Sequence, residues 1–215
     1  MRHHGGVGLD TAVLTFGVLA AALTVTPGLD TALVLRAALT RNRREAAATA
    51  LGIVSGLFVW GATAAAGVSA LLTASDLAYD VLRYAGAAYL VWFGGRLLWR
   101  ALRDRPEEAV PAGAPASVWR AARLGLLTNL LNPKVGVFYV ALLPQFVPVG
   151  SDPLAVGLLL AAVHGALSVV WFTLLIALSS ALGRWLRRPG TVRVIDGVTG
   201  TALLGFGARL AVAAR

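Results

Sequence analysis

Asp30 and Lys134 are the charged side chains placed well inside long apolar runs, and each stands just past a proline: TPGLD occupies 26–30 and NPK occupies 132–134. A proline inside a helix removes one backbone N–H and clashes with the preceding turn. In hydrocarbon, the carbonyls it frees must find partners elsewhere. A charge at mid-bilayer costs at least about 2.5–3.5 kcal/mol on insertion scales, so ionisable groups at that depth face the protein interior and are functional by default. Asp30 and Lys134 can attract one another across two broken helices, and a proton gained or lost at Asp30 would loosen that contact. This gives a physical basis for proton coupling; a permanent salt bridge that only fastens the two helices is the alternative.

The neighbours of these charges suit a zwitterionic ligand. Thr26 and Thr31 bring hydroxyls to the first break, and Asn129 and Asn132 bring amides to the second. A half-helix beginning at Gly28, after Pro27, offers free N–H groups and a positive dipole end to a carboxylate. The ammonium then goes to carbonyls before Pro133 or to Asp30. His164 is either a second proton site or a buried, hydrogen-bonded histidine. His3 and His4 sit on a tail and read as solvated, so no metal site is expected, and no cysteine is present.

The elements that must position these groups are membrane helices. Apolar side chains make up 58% of the 215 residues and charged ones 13%, with mean hydropathy +0.75, whereas soluble domains are near a quarter charged. A span needs about 20 apolar residues, and six candidates occur, at about 9–39, 46–73, 77–102, 121–146, 153–183 and 194–213. The start, MRHHGG and an apolar run, is reminiscent of a signal peptide, but no A-x-A-like cleavage site follows, so a retained first helix is expected. The net charge of +9 does not imply nucleic acid, because the basic residues form no continuous face and are not interleaved with aromatic side chains.

They punctuate the spans instead. Fourteen Arg fall in or beside the first, third and fifth connections, and only Arg2, Arg83, Arg209 and Arg215 lie on the other side. Positive residues are retained on the cytoplasmic side, which predicts that both termini face outward. The polar stretch at about 103–120 reads as a cytoplasmic linker between two halves of three helices, about 9–102 and 121–213, within one transmembrane domain. Three spans per half invert the orientation of the second half, as in many secondary transporters. The breaks in spans one and four correspond, spans two and five are both long and contain glycine, and spans three and six end in FGGRL (93–97) and FGARL (206–210). The expected fold is therefore an all-α integral membrane protein built as two inverted-topology repeats, with proline-broken helices one and four.

TPGLDTALVL (26–35), ALGIVSG (50–56), GAAYLVWFGGRLL (86–98) and GLLTNLLNPKVGVFYVALLPQF (125–146) together resemble the LysE/RhtB family of bacterial amino-acid exporters, over nearly the whole chain. The resemblance implies a six-helix permease expelling amino acids or their analogues by proton antiport, with Pro27, Gly28, Asp30, Asn132, Pro133 and Lys134 at its site. Two positions depart from the family pattern: Leu29 stands where a second proline is common, and Trp60 where histidine is often found. The alternatives are a cation or metal efflux permease on a related six-helix fold, a membrane-embedded enzyme, or a membrane protein that transports nothing. No enzyme constellation or Walker-type motif is visible, so no cofactor is expected; a homodimer is compatible with the sequence, which shows no legible interface.

Overall fold

The computed structural model describes residues 8–74, 76–103, 117–186 and 188–212; His3, His4 and linker residues 104–116 lie outside this set. Among the described residues the fold is all-helical. The first apolar run is two helices, α1 (Leu9–Val25) and α2 (Leu29–Thr40), bent by 51° at Pro27. The fourth is also two, α5 (Val118–Leu130) and α6 (Pro133–Leu142), extended by a 3₁₀ turn over Leu143–Phe146, and this pair bends by 54°. Pro133 occupies the first turn of α6, where its missing N–H costs nothing.

Between the broken pairs run α3 (Arg43–Ala74) and α4 (Asp76–Leu102). Asn42 caps α3: its Oδ1 accepts from Glu45 N–H at 2.9 Å, and its side-chain amide donates to Glu45 Oε1 at 3.1 Å. The fifth run departs from the sequence expectation of one helix over 153–183. It ends as α7 (Pro153–Ala177), and a separate short helix, α8 (Ser179–Leu186), precedes α9 (Pro189–Val212). The two serines after Leu178 and the polar, Arg-containing sequence of α8 end the apolar run there.

Two stretches, Arg43–Gly67 of α3 and Pro153–Ala177, are long and apolar enough to cross a membrane, and each bent pair qualifies as a further span. At 27 and 24 residues, α4 and α9 are long enough to cross, but their charges keep them from being apolar enough to qualify. Large apolar side chains such as Leu14, Val18, Leu51 and Val170 point outward, as a lipid-facing surface requires. At the end of α4 the Arg103 guanidinium lies 4.9 Å from the Trp99 ring centre, an interfacial anchor.

Small residues set the packing. A Cβ on Gly94 would stand 2.7 Å from the Gly200 carbonyl, and one on Gly207 would stand 3.1 Å from the Ala87 carbonyl. Contact thus moves down α4 as it moves up α9, so the two are antiparallel. Gly61 meets Gly157 and Ala161, Gly157 meets Ala65, and Gly165 meets Val54, so α3 and α7 are antiparallel too. By contrast Gly125 meets Thr49 and Gly56 meets Asn129, which makes α3 and α5 parallel. Helices in lipid gain adhesion from such close approach, because lipid tails are as apolar as leucine and supply no hydrophobic drive between helices. An aromatic core closes the centre, with Phe16 5.4 Å from Phe138 and 5.6 Å from Phe146 between ring centres.

Gly61→Val places its first carbon 2.7 Å from the Ala161 Cβ, so it is expected to destabilise the purified protein by about 1–3 kcal/mol. Gly67→Ala, which would meet nothing within 4 Å, should melt as wild type. Thermal unfolding in detergent, followed by circular dichroism, checks the pair.

Candidate functional site

Pro27 cannot donate the N–H that the Leu23 carbonyl would receive four residues along a continuous helix, and Pro133 deprives the Asn129 carbonyl in the same way. Both orphaned carbonyls are sealed by side chains from other helices. Lys134 Nζ donates to the Leu23 carbonyl at 2.9 Å and to the Thr26 carbonyl at 2.9 Å. Trp60 Nε1 on α3 donates to the Asn129 carbonyl at 3.3 Å, which also accepts the Asn132 N–H at 3.1 Å. The Trp60 ring lies against Gly136, where a Cβ would come within 2.7 Å of it. Trp60 is thus a seal on the second break, a role that sequence reasoning missed.

Asp30 sits in the first turn of α2, and its Oδ2 accepts from Asn129 Nδ2 at 2.9 Å. Its other oxygen, Oδ1, is buried and without a hydrogen-bond partner. Asn132 and Lys134 line the same cavity as the carboxylate. Fully buried Asn129 is held in place by Gly56, since a methyl there would overlap Asn129 Oδ1. Asn132 caps α6, its Oδ1 accepting from Lys134 N–H at 3.1 Å. Gly28 precedes α2 in extended conformation, and no side chain caps that helix. The first N–H groups of α2 therefore remain open to a ligand.

Thr26 ends α1, its hydroxyl 2.7 Å from the Ala22 carbonyl and 2.7 Å from Thr199 Oγ1 of α9. Thr31 accepts from Trp171 Nε1 at 3.4 Å. His164, 3% exposed, has Nδ1 3.2 Å from the Tyr139 hydroxyl and Nε2 3.1 Å from Thr24 Oγ1. Thr24 spends its own proton on the Ala20 carbonyl at 2.7 Å, so Nε2 must carry the hydrogen and Nδ1 accept from Tyr139. One neutral imidazole thus ties α7 to α1 and α6.

The breaks enclose a cavity of about 30 Å³, a volume that holds a water or two and is too small for an amino acid. Thr26, Gly28, Asp30, Asn132 and Lys134 line its polar side, and Ile53, Leu57, Val135 and Phe172 its apolar side. Of the residues singled out from sequence, these five therefore converge, and Thr31 and His164 line the cavity with them. Asn129 meets Asp30 from outside the lining, and Pro133 begins α6. Thr24, Tyr139, Thr199 and Asp196 carried no sequence signal beyond being polar within apolar runs.

A family model described as LysE type translocator matches 21–214. The chain is 30% identical over 200 residues to the leucine efflux protein of Klebsiella pneumoniae, covering 92% of this chain and 93% of that one. It is 30% identical over 203 residues to the threonine efflux protein of Escherichia coli, covering 93% and 97%. The homoserine/homoserine lactone efflux protein of Salmonella typhimurium is 29% identical over 194 residues, covering 89% and 91%. No solved structure matches the chain.

The two seals differ in charge, and their removal should differ in cost. Trp60→Phe forfeits one neutral hydrogen bond and is expected to lose about 1 kcal/mol. Lys134→Met bares two carbonyls and removes the cation nearest Asp30, and should lose about 2–4 kcal/mol. Thermal melts ranking Trp60→Phe as the costlier change would contradict this account of the breaks.

Proposed function

Because the chain belongs to the LysE type translocator family, we propose that it is a secondary active efflux permease, exporting an amino acid or a closely related small metabolite in exchange for protons. The observation that carries the reading is the convergence of two proline breaks on one partly polar cavity, with an unpartnered Asp30 oxygen at one wall and an uncapped helix N-terminus at another. These two groups match the two ends of a zwitterion. The first N–H groups of α2, after Pro27 and Gly28, take the carboxylate, and Asp30 takes the ammonium. The Asn129 carbonyl is already occupied by Trp60 and the Asn132 N–H, which leaves Asp30 as the better acceptor. Thr26, Asn129, Asn132, Pro133 and Lys134 complete the site by holding the breaks open in this geometry. Relatives named for leucine, threonine and homoserine efflux support the amino-acid class.

Proton exchange follows from competition for one carboxylate. Asp30 is neutralised by an ammonium or by a proton, so the carrier crosses between its two states loaded with one or the other. His164 serves as a structural clamp in this scheme, because both of its ring nitrogens are engaged.

The architecture proposed for this exchange is six spans in two inverted repeats, about 9–102 and 121–213, joined by a cytoplasmic linker at about 103–120, with both termini outside the inner membrane. The helix directions support it: α4 and α9 are antiparallel, α3 and α7 antiparallel, and α3 and α5 parallel, as alternating spans require. The contacts also exchange under the repeat. Gly94 and Gly207 occupy the same place in the two FG motifs, and under that alignment the Gly94–Gly200 contact becomes Gly207–Ala87. Likewise Gly61–Ala161 becomes Gly157–Ala65, the reciprocity that a two-fold axis produces. Rocking one repeat against the other would enlarge the cavity toward each side in turn.

The test is counterflow in proteoliposomes, with a panel of radiolabelled amino acids, with and without a pH gradient. At least one neutral amino acid should exchange, faster when protons run inward against export. Asp30→Asn should insert normally, show no proton-driven transport, and lose about tenfold or more in exchange rate. A panel in which no amino acid moves would refute the exporter reading, and normal coupling in Asp30→Asn would remove Asp30 from the mechanism.

A further inference from the structure

Asp196 is a carboxylate that neither the packing nor the site above puts to use. It lies two turns into α9 at 6% exposure. Among the described residues it accepts no hydrogen bond and joins no ion pair. A carboxylate with little exposure and no donor on it among the described residues is a ready acceptor for a cation.

Its surroundings lead to the cavity. In the antiparallel register of α4 and α9, Gly200 meets both Gly94 and Leu98, which places Asp196 one turn further along, level with Arg100 in the last turn of α4. This is the arginine-rich end of both helices, and the charges that act on Asp196 are Arg100 and Lys134. Arg100 is partly exposed at the helix end, where solvent screens it. Thr199 lies one turn deeper on the same face of α9, 2.7 Å from the hydroxyl of Thr26, and Thr26 lines the cavity. Lys134, whose ammonium is hydrogen-bonded to the end of α1, acts on both Asp196 and Asp30. From the arginine-rich end inward, the polar groups therefore run Asp196, the Thr199–Thr26 hydroxyl pair, then Asp30.

We propose that Asp196 is a second cation site of the transport path, which receives the substrate's ammonium on the arginine-rich side before the substrate reaches Asp30. The assignment rests on the exporter reading above. One carboxylate followed by two hydroxyls offers the few acceptors that a primary ammonium needs, and falls short of the six or more oxygens that calcium takes. The hydroxyl pair separates the two carboxylates, so an ammonium held at Asp196 has left water without yet opening the central cavity.

The experiment is transport by wild type, Asp196→Asn and Asp196→Glu in proteoliposomes of known orientation, with labelled leucine, threonine and homoserine supplied to one face at a time. Asp196→Asn is expected to raise the half-saturating concentration at the arginine-rich face by about tenfold, with little change at the opposite face or in maximal rate. Asp196→Glu should recover most of the loss. A change equal on both faces, or none on either, overturns the proposal, as does a fall in maximal rate alone. Calorimetric titration of the solubilised proteins with methylammonium provides a readout that does not require transport: wild type should bind it more tightly than Asp196→Asn, and equal binding overturns the assignment. If wild type moves no amino acid yet binds methylammonium through Asp196, the exporter reading fails and the Asp196 site stands.

Discussion

Two backbone carbonyls, those of Leu23 and Asn129, govern the rest of this fold. Each is left without its helical N–H by a proline four residues on, in surroundings where an unsatisfied carbonyl costs several kcal/mol. The remedy is reciprocal. Lys134, beside the second break, reaches the first break, while Trp60, which follows the first broken pair in the chain, reaches the second. If the two breaks draw apart, the Leu23 carbonyl is bared and the Asn129 carbonyl is left with the Asn132 N–H alone. A contact of this kind favours two discrete arrangements over gradual sliding, and the small cavity between the breaks is one of them.

Around this soft centre the packing is stiff. Glycines bring α3 against α5 and α7, and α4 against α9, so closely that a methyl group would overlap backbone at several of them. Such interfaces tolerate little rotation, so in the proposed exchange the helices would move as paired bodies, with hinges at Pro27 and Pro133. The His164 chain adds a directional lock, since its hydrogens can be placed in only one order while Thr24 donates to Ala20. Under the proposed function, transport and stability therefore occupy different residues: the glycine seams hold the helices, and the broken segments carry the proposed ligand groups.

Much of this was legible in the sequence because it depends on local chemistry. Prolines beside charges marked the breaks, apolar runs marked the helices, and the FGGRL and FGARL motifs marked a correspondence that the contacts of Gly94 and Gly207 bear on directly. What the sequence withheld depends on how helices are rotated and aligned against one another. Trp60 reads as packing until its indole is seen to face an orphaned carbonyl. Thr199 reads as an ordinary helix threonine until α9 is laid beside α1, and Asp196 as a flanking charge until the α4–α9 register buries it. The interruption at Leu178 was missed for a different reason: hydropathy continues across it, and only the short polar helix that follows breaks the run.

The two seals are equivalent in position but not in kind, and that asymmetry bears on how such a machine would move. Trp60 is a rigid neutral wedge, its ring filling the space left by Gly136, and it has little freedom to leave without opening a void. Lys134 holds its carbonyls through a flexible four-carbon stem, with its charge beside Gly28 and within the influence of Asp30. Any change in the charge at Asp30 alters what Lys134 gains by staying where it is, and leaves the neutral Trp60 contact almost unaffected. In the proposed exchange the first break is therefore the one that would respond to ligand or proton, and the second would be the fulcrum. The proposed pair of repeats thus acquires a direction from a single difference between them: one proline break is closed by a charge and the other by an indole.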